Sequence, residues 1–365
     1  MKNKKKILQV FSSTNRGGAE TLIMNLYRNI DKEEIQFDFL VFSEKSGDYD
    51  KEINQLGGNV IRIDSIGNSS IFKFIMSVKN EIMRNGPYHA VHTHVNYQNG
   101  VIAFSAQLAG VKKIISHSHS SSSRLSNSLK GKAALFFLKK MIKCFNTQYL
   151  ACSVEAGKFL YGNDFIVIPN AIDLNKFLSN NKLIFKKQRS ELLIGHIGRF
   201  VKVKNHDFLI RLANYLKKSE IEFKFILIGQ GPLREDIQKK VSLYELDSHF
   251  MFLGIREDIP DILNSIDIFL LPSYYEGIPL TLIEAQASNT PCVVSNNVDK
   301  YVDFGIGLIT YLDLDDSLKS WKNAILNAKK CKKNKVYNVI QNSGFDIKKF
   351  KDKLLKIYFE NSSDD

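Results

Sequence analysis

Short apolar runs alternate with helix-like segments along almost the whole chain. The run from Lys6 to Ser12 has the length of a buried strand, a helix-like segment continues to about Asn29, and Phe37 to Phe42 is the next apolar run. Apolar runs of this length with bounded ends are typical of strands that are buried on both faces. Strands that alternate with helices predict a parallel, doubly wound sheet, so the predicted fold class is α/β.

The alternation is interrupted once, between about Leu178 and Glu191, and restarts with a predicted strand over Leu192 to Ile197. The 365 residues also exceed what one hydrophobic core usually supports. We therefore predict two Rossmann-like domains that face each other across a cleft, over residues 1–180 and 190–345. A lysine-rich amphipathic helix in residues 346–365 is predicted to pack across the junction of the two domains.

One stretch of the second predicted domain combines a buried strand, a tight loop and a helix. The strand is Ile268 to Leu271, the loop contains Glu276, and Glu284 lies about one turn into a helix that starts near Thr281. Free backbone N–H groups at a helix N-terminus form a ready anion site. Two acids that flank an anion site suit a ligand with hydroxyls at both ends and phosphate in the middle, and a sugar nucleotide is such a ligand.

Two glycine-containing turns follow predicted strands. Gly17 and Gly18 precede the first helix, and Gly229-Gln230-Gly231-Pro232 lies between a strand and a helix of the second predicted domain. Glycine lets the backbone approach a ligand closely, and the helix N-terminus that follows favours phosphate. The full GxGxxG fingerprint is absent at Gly17-Gly18, which argues against a dinucleotide site there. A simple tight turn is the alternative at both positions.

Arg199 and Lys204 follow the first strand of the second predicted domain. Ligands of doubly wound sheets bind beyond the carboxyl ends of the strands, which is where these two cations lie. Arginine presents a planar fork and lysine a compact charge, and both hold diphosphates well. Solvated surface cations are the alternative, but the position at the end of a strand favours the binding role.

Two histidine pairs occur in the first predicted domain, His92 with His94 and His117 with His119. Alternate residues of a strand share a face, so each pair can present two imidazoles together. Four imidazoles suggest a zinc site and hence a metal-dependent hydrolase. No carboxylate accompanies either pair in the sequence, as hydrolytic metal sites usually require, so we expect no metal. A single histidine at a strand tip, aimed into the cleft, is the favoured functional interpretation.

The positive charge is confined to one half of the chain. Residues 1–190 contain 27 lysines and arginines against 14 acidic residues, whereas residues 191–365 contain 24 of each. We find no nucleic-acid-binding motif, so the basic half favours an anionic membrane surface or a lipid-phosphate acceptor over nucleic acid. A basic helix over about Leu129 to Phe145 is the candidate for the membrane contact, and a domain helix with snorkelling lysines is the alternative. No apolar stretch approaches a membrane span or a signal core, which predicts a cytoplasmic protein, peripheral at the inner leaflet.

These motifs resemble those of the retaining glycosyltransferases of the GT-B fold, family four, in the branch that builds capsular, exopolysaccharide and similar bacterial cell-surface glycans. The pair of acids separated by seven residues in its loop-helix context is the most specific part of the resemblance. The resemblance covers nearly the whole chain and rests on the stretches Gly17-Gly18-Ala19-Glu20, Ser116-His117-Ser118-His119, Ala151-Cys152-Ser153, Val167-Ile168-Pro169-Asn170-Ala171-Ile172-Asp173, Gly198-Arg199 with Lys204, Phe252-Leu253-Gly254-Ile255-Arg256, and Glu276-Gly277-Ile278-Pro279-Leu280 with Glu284. The family usually has glycine where Ala171 stands in this chain.

The resemblance implies a role for each candidate site residue. Glu284 would hold the ribose of a nucleotide-sugar donor. The transferred sugar would be held by Glu276, by the backbone of Ile278, Pro279 and Leu280, and by His119 near the 6-hydroxyl, with His117 as the second choice. The remaining donor-binding residues would be Arg199 and Lys204 at the diphosphate, Gly17, Gly18 and Gly229 in close-approach turns, and Ile255 and Arg256 beside the base.

The activity implied by the resemblance is transfer of a hexose-type sugar from a nucleotide diphosphate, most simply UDP, to a growing lipid-linked glycan, with retention at the anomeric carbon. No cofactor or metal is expected, because fixed cations and helix N–H groups can stabilise the leaving diphosphate. A nucleotide-sugar epimerase of the same fold is the nearest alternative, and the zinc hydrolase is the alternative from another class. A third alternative is a non-catalytic nucleotide-sugar-binding protein, against which the complete set of polar groups argues.

Overall fold

The computed structural model describes residues 4–67, 70–120, 128–178, 182–186, 190–328 and 333–360 of the chain. These residues form two compact units. One unit contains the residues up to Ala171 together with those from Ile347 onward, and the other contains Ile172–Asp346. Each unit is built on a parallel sheet with connecting helices, so the predicted α/β fold class is confirmed.

The first unit has a seven-stranded parallel sheet with the strand order β3-β2-β1-β4-β5-β6-β7. The side chains of Ile7 and Leu8, neighbours in β1, enter two different apolar clusters, because successive side chains point to opposite faces of a strand. Both faces of the sheet are therefore covered, which explains the nearly continuous apolar runs. The strands are β1 Lys5–Phe11, β2 Ile35–Val41, β3 Val60–Arg62, β4 Ala90–Thr93, β5 Lys113–Ser118, β6 Gln148–Ala151 and β7 Ile166–Val167.

Helices connect these strands. They are α1 Gly18–Asn29, α2 Asp50–Gln55, α3 Ile71–Asn85, α4 Asn99–Leu108, α5 Leu129–Phe145 and α6 Val154–Tyr161. Serine side chains cap three of them by accepting a hydrogen bond from the backbone N–H three positions on, namely Ser70 at α3, Ser128 at α5 and Ser153 at α6. Among the described residues, no helix combines the length and the apolar character that crossing a membrane requires.

The second unit has a six-stranded parallel sheet with the strand order β10-β9-β8-β11-β12-β13. Its strands are β8 Leu192–Ile197, β9 Phe223–Ile228, β10 Phe250–Gly254, β11 Ile268–Leu271, β12 Cys292–Ser295 and β13 Ile309–Leu312. Its helices are α7 Leu174–Leu178, α8 His206–Lys218, α9 Arg234–Leu243, α10 Ile259–Ser265, α11 Leu280–Ala287, α12 Leu318–Asn327 and α13 Lys333–Asn342. After β8, the chain adds β9 and β10 on one side of this strand and then crosses to add β11 on its other side. The strand order therefore reverses between β8 and β11.

The division of the chain differs from the predicted one at α7 and at the C-terminus. Leu174 and Phe177 of α7 pack in the core of the second unit, and the backbone N–H of Ile172 donates to the carbonyl oxygen of Phe345 at 2.8 Å. The first unit therefore ends at Ala171, before the predicted boundary at residue 180.

The last helix, α14 Ile347–Phe359, was expected to pack across the domain junction. In the structure it packs on the sheet of the first unit. Phe350, Leu354 and Tyr358 are buried in the same apolar cluster as Ile7 of β1. The apolar face of the helix therefore completes the core of the first unit, and its lysines lie on the other face.

Candidate active site

The carboxyl end of the second unit's sheet is where its loops meet. The backbone N–H of Phe200, after β8, donates to the carbonyl oxygen of Gln230, after β9, at 3.0 Å. The N–H of Gly229 donates to the carbonyl oxygen of Gly254 at the end of β10, at 2.8 Å. Gly229 has a φ of +136°, and a Cβ atom there would clash with the carbonyl oxygen of Gly198. Only glycine fits this turn, because two neighbouring loops leave no room for a side chain.

Lys204 and Glu276 meet at the point where the strand order reverses. Lys204 ends a short 3-10 turn after β8, Glu276 lies in the loop after β11, and Lys204 Nζ is 2.5 Å from Glu276 Oε1. The two side chains are only 16 % and 14 % exposed. Ligands of doubly wound sheets bind in the crevice at such a reversal. The structure therefore brings two of the predicted site residues together at the position where the fold favours a ligand.

The loop that carries Glu276 is held on both sides. The backbone N–H of Tyr274 donates to the carbonyl oxygen of Val203 at 2.8 Å, beside Lys204. The N–H of Glu276 donates to the carbonyl oxygen of Asn297 at 3.3 Å, after β12. Since neighbouring loops fix the backbone of Glu276, the position of its carboxylate is determined by the sheet and not by the loop alone.

Helix α11 begins at Leu280, directly after this loop, and no side chain caps its N-terminus. Its first backbone N–H groups are available for an anion, as the sequence predicts. Ile278 and Leu280 pack against the core of the second unit, which fixes the backbone of the predicted segment around Pro279. The hydroxyl of Thr281 is buried and has no hydrogen-bond partner among the described residues.

Glu284 lies in the second turn of α11 and is largely buried. Its neighbours Leu282, Ile283 and Ala285 are in the core. Burial raises the pKa of the Glu284 carboxyl to about 8, from an ordinary value of 4.5. A carboxyl in such surroundings, with no ion-pair partner among the described residues, is costly for the folded protein and is typical of functional positions.

The other predicted donor-binding residues of the second unit lie along the same edge of the sheet. Arg199 is exposed directly after β8. Ile255, the residue after β10, is 42 % exposed and leaves an apolar surface available. Arg256 forms a two-pronged ion pair with Asp258, in which Nε lies 2.8 Å and Nη2 2.5 Å from the carboxylate oxygens.

In the first unit, Gly17 lies directly before α1 and Gly18 is the first residue of the helix. A Cβ atom at Gly17 would clash with the carboxylate of Glu20, whereas Gly18 is exposed and has open space around it. Burial raises the pKa of Glu20 to about 7, from an ordinary value of 4.5. Glu20 is a functional candidate to which the sequence analysis assigned no role, although it belongs to the quoted Gly-Gly-Ala-Glu stretch.

The two histidine pairs form one buried cluster at the carboxyl ends of β4 and β5. His94 Nδ1 lies 2.9 Å from His119 Nε2, so these two rings share a hydrogen bond. Neither ring nitrogen of the fully buried His117 has a hydrogen-bond partner among the described residues, and His119 Nδ1 also lacks one. His119 is the more exposed of these two candidates, which favours it over His117 for contact with a ligand.

The cluster also offers nitrogen atoms in a spacing that metal sites use. Ring nitrogens of His92, His94 and His117 lie within 4.8 Å of one another, and within the described ranges this is the group of ligand atoms able to hold a metal ion. Both nitrogens of His94 already take part in hydrogen bonds, to His119 and to Gln9. A metal would have to replace at least one of these bonds.

Several residues of these clusters were missed by the sequence analysis. Gln9 and Tyr358 join the histidines of the first unit, and the buried His196 and His206 lie next to Lys204. Burial and the Lys204 charge lower the pKa of His206 to about 4, so its ring is neutral. The available signal was a polar residue inside an apolar run, since Gln9 interrupts the otherwise apolar residues 7–11 of β1.

The chain is similar to known proteins over almost its whole length. A family profile described as Glycosyltransferase Family 4 matches residues 16–176, and one described as Glycosyl transferases group 1 matches residues 179–304. The chain is 38 % identical to the putative glycosyltransferase EpsF of Bacillus subtilis, over 98 % of this chain and 97 % of that protein. It is 29 % identical to the capsular polysaccharide biosynthesis glycosyltransferase CapH of Staphylococcus aureus, over 97 % of this chain and 98 % of that protein.

A relative with a more specific name is the UDP-Gal:alpha-D-GlcNAc-diphosphoundecaprenol alpha-1,3-galactosyltransferase of Escherichia coli, which is 30 % identical over 77 % of each chain. Among solved structures, Anabaena HepE in complex with UDP and glucose matches with a TM-score of 0.72 at 16 % identity, over 96 % of this chain and 98 % of that chain. The lipopolysaccharide glycosyltransferase WaaG matches with a TM-score of 0.69 at 12 % identity, over 98 % of this chain and 100 % of that chain. At these identities the two structures establish the fold.

Proposed function

Since this chain belongs to glycosyltransferase family 4, we propose that it transfers a hexose-type sugar from a UDP-sugar to a lipid-linked saccharide during the synthesis of a cell-surface polysaccharide. The family and the GT-B fold make it a retaining glycosyltransferase, homologous to exopolysaccharide and capsule enzymes. Membership of this family also removes the support for the zinc hydrolase alternative.

The observation that carries the proposal is the meeting of Lys204, Glu276 and the N-terminus of α11 at the reversal of strand order. A UDP-sugar fits this edge in a definite direction. Its diphosphate accepts hydrogen bonds from the free N–H groups of α11 and contacts Arg199 and Lys204. Its sugar hydroxyls donate to Glu276, whose carboxylate is oriented by its ion pair with Lys204.

In this proposal, Glu284 accepts hydrogen bonds from the ribose hydroxyls of the donor. A buried carboxyl is stabilised by a ligand that donates hydrogen bonds to it, because burial removes the water molecules that would otherwise do so. The exposed apolar side chain of Ile255 and the neighbouring Arg256 then lie on either side of the uracil base. In the first unit, we assign His119 to the transferred sugar near its 6-hydroxyl, and the open turn at Gly18 to the diphosphate, as the family resemblance implies.

The chemistry follows from where charge develops. When the glycosidic bond breaks, negative charge grows on the leaving diphosphate, and cations with fixed positions stabilise it without reorganisation. The departing phosphate oxygen accepts the proton of the acceptor hydroxyl, and the acceptor oxygen bonds to the anomeric carbon on that same face of the sugar. The configuration at the anomeric carbon is therefore retained. No protein nucleophile is required by this scheme, and none is assigned.

The acceptor is proposed to be linked to a lipid diphosphate. The E. coli relative is named for a diphosphoundecaprenol acceptor, and the first 190 residues hold the positive excess of this chain. Helix α5 presents the apolar side chains of Phe136 and Phe137, 56 % and 65 % exposed, among lysines that are also exposed, namely Lys130, Lys132, Lys140 and Lys143. An apolar face with flanking lysines suits the surface of an anionic leaflet.

The proposal is tested by following UDP release and product formation with a panel of UDP-hexoses and undecaprenyl-diphosphate-linked saccharides. We expect turnover that needs both substrates and a product with the anomeric configuration of the donor, determined from proton couplings. Glu284→Gln should lose most of this turnover. Conversion of a UDP-sugar into its epimer without acceptor, or full activity of Glu284→Gln, would contradict the proposal.

A further inference from the structure

Three histidine rings of the first unit converge on one buried point. His92 lies in β4, His94 directly follows that strand, and His117 lies in the neighbouring strand β5. Because alternate residues of a strand share a face and His92 is in register with Ile115, all three rings project from the same face of the sheet. One ring nitrogen from each histidine lies within 4.8 Å of the other two. The pairing of β4 with β5 therefore gathers three potential metal ligands from two separate parts of the sequence.

The nitrogen atoms of this group have few hydrogen bonds. His92 Nε2 and both ring nitrogens of His117 have no partner within the part of the chain that the structure describes, although both side chains are fully buried. Buried polar atoms are normally hydrogen-bonded, and an unpaired one costs about 1 to 3 kcal/mol. One metal ion can accept several lone pairs at the same time, so it would satisfy nitrogens from different rings together.

The remaining nitrogens have the kind of contact that supports a metal ligand. Nδ1 of His92 lies 2.7 Å from the hydroxyl oxygen of Tyr358. The two ring nitrogens of His94 lie 2.9 Å from His119 Nε2 and 3.0 Å from Gln9 Oε1, so when one of them turns to a metal the other keeps its hydrogen bond. Metal-binding histidines almost always use their second ring nitrogen in a hydrogen bond, because that bond holds the ring in place. Two of the three rings meet this requirement.

The rings are also in the protonation state that binds a metal. Burial lowers the pKa values of His92, His94 and His117 well below the usual value, and the neighbouring histidines lower them further. Each neutral ring has one bare nitrogen, so binding at pH 7 displaces no proton from a charged ring. Neutral imidazole nitrogens suit zinc, and three of them leave the fourth position of its tetrahedron open.

Only small movements separate this arrangement from a zinc site. Zinc–nitrogen bonds of about 2.0 to 2.1 Å place two ligand atoms of a tetrahedral site roughly 3.4 Å apart. The ring nitrogens already lie within 4.8 Å of one another. Rotation of the imidazole rings about their side-chain bonds is enough to close the difference, and the backbones of β4 and β5 can stay in place.

We propose that His92, His94 and His117 bind one zinc ion, which joins the carboxyl ends of β4 and β5 and stabilises the first unit. The inference goes beyond the proposed function and does not rest on it, since all three ligands lie in one unit and the ion takes no part in the transfer reaction. The sequence-based expectation of no metal concerned a hydrolytic centre, which usually includes a carboxylate. A zinc ion with a stabilising role does not need one.

The experiment measures zinc binding by the full chain without a histidine tag, because a tag would bind the metal itself. Cys144→Ser is the background, since this exposed thiol is able to hold zinc elsewhere. After treatment with a chelator, the protein is titrated with ZnCl2 by calorimetry and with CoCl2 by visible absorption, which distinguishes tetrahedral from octahedral cobalt. We expect one ion per chain and a tetrahedral spectrum. With free zinc at about 100 times Kd, the melting temperature of the first unit should rise by about 5 to 10 °C.

Three substitutions in this background assign the ligands. His92→Asn and His117→Asn should each abolish the calorimetric signal and the tetrahedral cobalt spectrum. Tyr358→Phe removes the outer partner of His92 and should weaken zinc binding by about 10-fold. The matched control is His89→Asn, because His89 precedes β4 at its other end and its ring contacts the backbone carbonyl oxygen of Tyr358 at 2.9 Å. It should bind zinc as the background protein does.

Melting curves recorded without zinc show which variants are folded, and the titration of the background protein needs no variant at the site. Failure of the background protein to take up zinc and cobalt would overturn the inference. An octahedral cobalt spectrum, or equal zinc binding by folded His92→Asn, His117→Asn and His89→Asn, would also overturn it and would identify adventitious surface binding only. None of these readouts depends on turnover, so an absence of sugar transfer would contradict the proposed function and leave this test unaffected.

Discussion

Replacing Glu284 by glutamine is expected to stabilise the protein while it removes the activity. The folded protein holds this carboxyl at a pKa of about 8 against an ordinary 4.5, because burial disfavours the charged form. The folded state therefore binds the proton more tightly than the unfolded chain does. The resulting loss of stability is absent below about pH 4.5, grows as the pH rises, and is complete above about pH 8.

The size of the effect follows from the two pKa values. At about 1.4 kcal/mol for each pH unit between them, full burial would correspond to about 5 kcal/mol at pH 8.5. Partial solvent access to the side chain lowers this, and we expect about 2 kcal/mol. Glu284→Gln keeps the shape and removes the charge, so it should gain about 2 kcal/mol at pH 8.5 and almost nothing at pH 5, which corresponds to a rise in melting temperature of about 4 to 8 °C.

The assay is thermal and urea unfolding of both proteins at pH 5 and pH 8.5, together with UDP release from a UDP-hexose. Glu276→Gln is the matched control, since it neutralises the other acid of the pair but takes away the ion-pair partner of Lys204. That change should lower stability by about 1 to 3 kcal/mol. If Glu284→Gln were no more stable than the wild type at pH 8.5, or gained equally at both pH values, the reasoning from burial would be refuted.

Three further variants test other parts of the site. Gly229→Ala should lower stability by about 1 to 3 kcal/mol in a thermal melt, more than Gly305→Ala, because both positions have positive φ but only the Cβ at 229 would meet a neighbouring loop; equal losses would contradict the close packing. Lys204→Met should lower kcat on the order of 10²-fold through loss of charge at the diphosphate, whereas Lys202→Met, in the same turn but exposed, should keep it. Phe136→Ser with Phe137→Ser should reduce cosedimentation with anionic liposomes at unchanged melting temperature, and Leu326→Ser, an exposed apolar residue of α12, should not; equal binding by all three proteins would exclude α5 as the membrane contact.

The fold class was predictable because both sheets are parallel and covered on both faces. Strand β11 is buried throughout and β1 is buried from Ile7 onward, so both stand out as short apolar runs without the alternation that an exposed face would produce. The loop with Glu276 and the helix with Glu284 were predictable for a similar reason, since Pro279 and the preceding glycine mark the end of the loop. Helix α11 begins at Leu280, one residue before the predicted start near Thr281.

The contacts within the site depend on parts of the chain that are far apart in sequence. The ion pair of Lys204 with Glu276 forms because β8 and β11 are neighbours in the sheet. The sequences of the two loops do not specify this order of strands. The link from His119 to Tyr358 needs α14 to return to the first unit, which the sequence analysis placed across the junction instead. Local patterns identified the acids and the cations, and only the tertiary structure could pair them.

Two opposing effects act on Glu20 and Glu284 near the starts of their helices. The helix dipole favours the charged carboxylate, and burial disfavours it. Both lie in the first two turns of a helix that follows the carboxyl end of a sheet, where the helix dipole favours a carboxylate by about 0.3 to 1 kcal/mol. The pKa of each is nevertheless raised, to about 7 and about 8, so burial outweighs the dipole at both positions. The charged form of each carboxyl therefore lowers stability. The recurrence of this feature near a helix N-terminus in both units makes Glu20 a candidate to test together with Glu284.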